Sequence, residues 1–115
     1  MGFANVIWQG DASARAIQCL TRTASPPVAL NVTGIERISL RELAHRFGEE
    51  FGRAALISGT EGPATWIWDA AQSYEWFGPP SVSLDEMIRA TADWLKLGGE
   101  TLGKPTHFEV QDGRF

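Results

Sequence analysis

The stretch NVIWQGDASARAIQCL, residues 5–20, decides how this chain is read. An apolar run at 5–8 meets a turn at Gln9-Gly10, and an Ala-rich run of helical character follows. Asp11 is the expected N-cap, because its short carboxylate can accept from the free N–H groups of a first helical turn. A contact from Asp11 to a substrate is the alternative. Ala12, Ala16, Ile17 and Leu20 share one helical face and are expected to form its buried stripe. A strand starting at Asn5 has two edges and no earlier partner, so the chain reads as the second half of a larger architecture.

Three further helix starts lie outward from this point. Ser39, Asp69 and Ser83 each stand three residues before Glu42, Gln72 and Glu86, the spacing of a capping box. After Ser39, the residues Leu40, Leu43, Ala44, Phe47 and Phe51 recur on one face, and Gly52 is the expected stop. After Ser83 the face is Leu84, Met87, Ile88, Thr91 and Leu95, stopped by Gly98-Gly99. The run after Asp69 is shorter, with Ser73, Tyr74 and Phe77 inward, and Gly78-Pro79-Pro80 ends it. Strands are expected at 5–8, 28–32, 54–57 and 107–110. Short strands thus alternate with four helices in one domain, 1–115, of α/β or mixed α+β class. The strands are too few and too short for a parallel sheet covered on both faces.

Composition sets bounds on function. The chain has 115 residues, 43% of them hydrophobic and 21% charged, ordinary values for a globular protein. Its net charge is -4 and its Lys and Arg residues are scattered, which argues against nucleic acid and against an anionic membrane surface. No apolar stretch approaches the ~20 residues of a membrane span. The N-terminus has neither a basic run nor a long apolar run, so no secretory signal is read. With Cys19 the single cysteine, a reducing cytoplasm is the expected setting.

Catalytic signatures are sparse. His45 falls inside the second helix, where a partly exposed surface histidine is expected, and His107 begins the last expected strand. The two histidines lack metal-ligand spacing, and Cys19 lacks a partner motif. There is no nucleophile elbow and no Gly-x-Gly-x-x-Gly turn to cradle a pyrophosphate. The glycine-rich LKLGGETLGK, 95–104, is explained by a helix end and a turn. No nucleophile–base pair suggests a hydrolase. The tryptophans draw more interest. Trp66 and Trp68 alternate around Ile67, which places both indoles on one side of an extended segment. Core packing, a ligand pocket and a protein interface all favour Trp, and each stays open. Trp8 stands beside the polar Gln9-Gly10-Asp11.

At these residues the chain resembles the NAD-dependent epimerase/dehydratase family, the extended short-chain dehydrogenase/reductases. NVIWQGDASARAIQCL is similar to the strand–turn–helix in that family's C-terminal half. VALNVTGIERISLRELAHRFGEEFG, 28–52, resembles its next block. WDAAQSYEWFGPPSVSLDEMIRATADWL, 68–95, resembles the third. The three blocks come in the family's order and cover 5 to about 97, leaving the tail as a subgroup feature. The resemblance implies the substrate-binding C-terminal part of a Rossmann-type dehydrogenase without its dinucleotide-binding half. It implies NAD(P) as the cofactor of a full-length member, and a substrate pocket shaped by Trp8, Gln9, Asp11, Trp66 and Trp68.

Two departures bear on function. The family's glycine-rich fingerprint and its Tyr-x-x-x-Lys pair are missing: Tyr74 is the single tyrosine, and Gly78 stands four residues on. This chain is therefore expected to bind no cofactor and to be non-catalytic by itself. No Arg lies between Gly59 and Asp69, which argues against a nucleotide-diphosphate substrate. The alternative is a free-standing, non-enzymatic interaction module. In either case the orphan surface is expected to be covered, by the missing half or by a second copy, with Phe3, Val6, Ile7 and Trp8 near a homodimer interface.

Overall fold

The computed structural model describes residues 2–105. The fold is mixed α+β: a two-stranded antiparallel sheet of β1 (Phe3–Ala4) and β2 (Ile38–Ser39), with four helices. These are α1 (Gln9–Gln18), α2 (Leu40–Glu50), α3 (Ala71–Phe77) and α4 (Leu84–Lys96). A short 3-10 turn, Cys19–Arg22, extends α1.

The strand expected at 5–8 is found upstream and is shorter. Phe3 pairs with Ser39 and Ala4 with Ile38, while Ala4 bridges Trp66 in parallel on the other side. The Asn5 amide donates to the Trp66 carbonyl at 3.0 Å, and the Trp66 amide to the Phe3 carbonyl at 2.9 Å. Both edges of the N-terminal strand are thus covered by this same chain. That removes the unpaired edge from the argument for a strand-exchanged dimer.

The segments at 28–32 and 54–57 form no strands. Leu56 and Val28 face solvent, so neither segment has a sheet face to rest on. Backbone partners are met singly instead: the Gly34 amide reaches the Val6 carbonyl at 3.0 Å, and the Asn31 side-chain amide reaches the Asp69 carbonyl at 2.9 Å. The strand expected at 107–110 lies outside the described residues.

The helix ends follow local chemistry closely. Ser39 Oγ accepts from the Glu42 amide at 3.3 Å, and Ser83 forms the full reciprocal box with Glu86. At Asp69 the box is not made: Asp69 Oδ1 accepts from the Ala71 amide at 2.9 Å, two residues on, and Ala70 occupies the cap position. Gly52, Gly78 and Gly98 end α2, α3 and α4 with φ of 65°, 76° and 75°, where a side chain is disfavoured.

The core is thin. Ile38, Ala70, Ile88 and Ala92 are its buried apolar residues, and no large side chain among the described residues is fully buried. Helices α2 and α4 pack together and are tied at their rims by Arg46–Asp85 and by Lys96–Glu50 at 3.3 Å. Of the apolar face expected after Ser39, Leu40, Leu43, Ala44 and Phe47 are half-buried, whereas Phe51, stacked on Phe47 at 6.1 Å, is exposed, as are Thr91 and Leu95 of α4. The radius of gyration, 16.3 Å, exceeds the roughly 13 Å of a compact domain of about 100 residues.

The largest difference from expectation is in α1. Ile17 and Leu20 are 68% and 72% exposed, while Asp11 and Arg15 are buried at 9% and 7%. The helix turns its polar i, i+4 pair inward and its apolar stripe outward. The reason lies in what it packs against: the segment 77–82 presents free carbonyls and amides, and buried backbone polar groups require partners.

Candidate functional site: a cleft with a buried polar clamp

Where the chain leaves β1, it meets the loop before β2 and the segment joining α3 to α4. These three pieces enclose a cleft of about 320 Å³. Its apolar wall includes Val6, Ile35, Ile38, Val82, Leu84 and Met87, and its polar groups include Tyr74, Glu36 and Glu86. The Tyr74 hydroxyl accepts from the Ile35 amide at 3.1 Å, which ties the pre-β2 loop to α3.

One wall of the cleft, Pro79 to Val82, is held from behind by α1. Asp11 is not the cap of that helix; Trp8 stands at the cap position and Asp11 falls one turn inside. Its carboxylate accepts the Ser81 hydroxyl at 2.6 Å, and the Ser81 and Val82 amides at 3.1 Å each. The Ser81 hydroxyl bond, more than any other cause, holds the Asp11 carboxyl below its ordinary value, with the two amides and the nearby Arg15 charge acting in the same direction against burial.

Arg15 completes the clamp. Its guanidinium donates to the carbonyls of Phe77, Gly78 and Pro79 at 2.6, 2.9 and 2.8 Å, and to Gln18 Oε1 at 3.1 Å. Those carbonyls include the unpaired end of α3, where a cation is also favoured by the helix dipole. The planar fork meets several acceptors at once, which an ammonium group does less well. The Phe77 ring lies 5.4 Å below the guanidinium.

The five residues expected to shape a pocket are distributed differently. None of Trp8, Gln9, Asp11, Trp66 and Trp68 lines the cleft, although Asp11 stands directly behind its wall. Trp66 is half-buried in the bridge to Ala4, and the Trp68 backbone is held by both ends of the Asn5 side-chain amide, at 2.8 and 3.2 Å. The Trp68 side chain is 61% exposed. Trp8 and Gln9 are exposed at the start of α1.

Arg15, Gly34 and Ile35 were missed as site residues. A signal existed for Arg15: it stands four residues after Asp11 in an otherwise Ala-rich run, so both charges share one face. Gly34 also has a clear reason in the fold. A Cβ there would lie 2.1 Å from the Val6 carbonyl oxygen.

The turn between β1 and α1, Asn5 to Trp8, has no glycine, and the Trp8 indole lies over the first turn of α1, 2.5 Å from where a Gly10 Cβ would stand. Among the described residues no group of three or more His, Cys, Asp or Glu is placed to hold a metal ion, and no helix is long and apolar enough to cross a membrane. His45 lies exposed on α2, as its position in the helical period suggests. No family model matches the chain, and no curated protein or solved structure matches it either.

Proposed function

We propose that this chain is the substrate-binding portion of an NAD(P)-dependent epimerase/dehydratase-like protein, non-catalytic by itself, with hydride chemistry belonging to a Rossmann-type half outside it. The observation that carries the reading is the cleft. Three segments distant in sequence converge on it, and two buried charged side chains are committed to fixing one wall. A buried charge is costly unless fully hydrogen-bonded, so a wall held this way is a place where shape matters. The ordered resemblance of three blocks supports the same assignment. The exposed apolar side chains support a chain that meets another protein surface. A reducing, cytoplasmic setting and a small-molecule substrate belong to this reading.

The test combines two measurements on the chain alone. Calorimetry with NADH and NADPH is expected to show no binding. An NMR screen of small neutral and charged molecules is expected to shift signals from Val6, Ile35, Tyr74 and Met87. Micromolar cofactor binding, or ligands that bind everywhere except the cleft, would overturn the reading.

A second reading, a free-standing dimeric interaction module, is favoured by one observation: the outward Ile17 of α1 and Leu20 of the 3-10 turn that follows it. Light scattering at low micromolar concentration separates the two. A species near twice the 12.6 kDa chain mass, broken by Ile17→Glu, supports the module.

A further inference from the structure

The cleft has a distinctive charge pattern. Among the described residues, its lining includes two carboxylates, Glu36 and Glu86, and no Lys, Arg or His. Two nearby guanidinium groups are committed elsewhere, while Arg89, three residues along α4, acts on Glu86 without lining the cleft. Arg37 lies 3.9 Å over the Phe3 ring, and Arg15 is engaged by the carbonyls of 77–79. Glu86 receives the Ser83 amide at 2.8 Å and the Ser83 hydroxyl at 2.6 Å. These bonds, the hydroxyl first, hold its carboxyl below the ordinary value, so at neutral pH it carries its charge. An anion entering this cleft would lose water and face two like charges. A cation would find them complementary, while its apolar part rests on Val6, Ile35 and Met87.

Resting on the substrate-binding reading, we propose that the cleft takes an apolar small molecule bearing a positive charge, and rejects carboxylates and phosphates. Its volume, about 320 Å³, has room for roughly ten non-hydrogen atoms at about 30 Å³ each. The Tyr74 hydroxyl accepts from Ile35 and keeps its own proton to donate, which suits a further oxygen or nitrogen on the ligand.

The experiment titrates the full chain with three probes of similar size: hexyltrimethylammonium, 1-octanol and octanoate. Methyl and amide NMR shifts at Val6, Ile35 and Met87 report occupancy. Hexyltrimethylammonium is expected to bind at least about tenfold more tightly than octanoate. Glu36→Gln, a change at an exposed position, is expected to weaken the ammonium about fivefold and to leave octanol unchanged. Octanoate binding as tightly as the ammonium overturns the charge preference and leaves the substrate-binding reading standing. So does an ammonium affinity unaltered in Glu36→Gln. If no probe shifts the cleft signals, the substrate-binding reading fails with it.

Discussion

The Asp11 carboxylate accepts the Ser81 hydroxyl at 2.6 Å across 70 residues of chain, and one turn on Arg15 grips the carbonyls of Phe77, Gly78 and Pro79. This polar pair joins the N-terminal helix to the segment between α3 and α4 and sets one wall of the cleft.

Asp11→Ala removes the acceptor for one hydroxyl and two amides in a buried setting. It is expected to cost about 2–3 kcal/mol. Urea denaturation followed by circular dichroism measures this. A cost within about 0.5 kcal/mol, the range of ordinary surface changes, would mean that the clamp does not stabilise the fold.

The same group predicts an acid response. Asp11 titrates below its ordinary 3.8 in the folded chain and near that value when unfolded. Between the two values the unfolded chain binds the proton and the folded chain does not, so unfolding gains as pH falls. The contribution is complete above about pH 5, begins to fade near pH 4, and is lost as pH drops through the folded value. Glu86, also lowered, acts with the same sign in the acid range. Urea midpoints between pH 6 and pH 2.5 should show the gap between wild type and Asp11→Asn closing at the acid end.

Gly34→Ala is expected to be disproportionately harmful for one added methyl. Its Cβ would meet a backbone oxygen, which cannot swing aside as a side chain can. A cost of about 1–3 kcal/mol is expected, with the Gly34–Val6 hydrogen bond lengthened. Hydrogen exchange at the Gly34 amide reads that bond directly, and unchanged protection would contradict the placement.

The two tryptophans of the 66–68 segment should part company. Trp68 is mostly in solvent, so Trp68→Phe is expected to leave stability within about 0.5 kcal/mol. Trp66 is half-buried beside β1, and Trp66→Ala is expected to cost about 2 kcal/mol, part of a full core truncation. Equal effects from the two would show that the indoles share one environment, as simple alternation suggests.

Local features of this protein were legible in its sequence. The Ser83 capping box, the Ser39 cap and the glycine stops at 52, 78 and 98 rest on hydrogen bonds and backbone angles within a few residues. Nothing distant competes with them. The inward face of α3, with Ser73, Tyr74 and Phe77, was legible for the same reason.

Tertiary structure decided the strands and the direction of α1. A strand forms only where a partner presents matching amides and carbonyls. The segment 28–32 has the composition of a strand but no such partner among the described residues, whereas Phe3 and Ala4 meet Ile38, Ser39 and Trp66. Periodicity placed Ile17 and Leu20 inward because it weighs apolar surface alone. The segment that α1 packs against offers backbone polar groups, and these needed Asp11 and Arg15. The physical reason is that burying an unpaired carbonyl or amide costs as much as burying a side chain such as leucine gains, and only the fold reveals which groups are left unpaired.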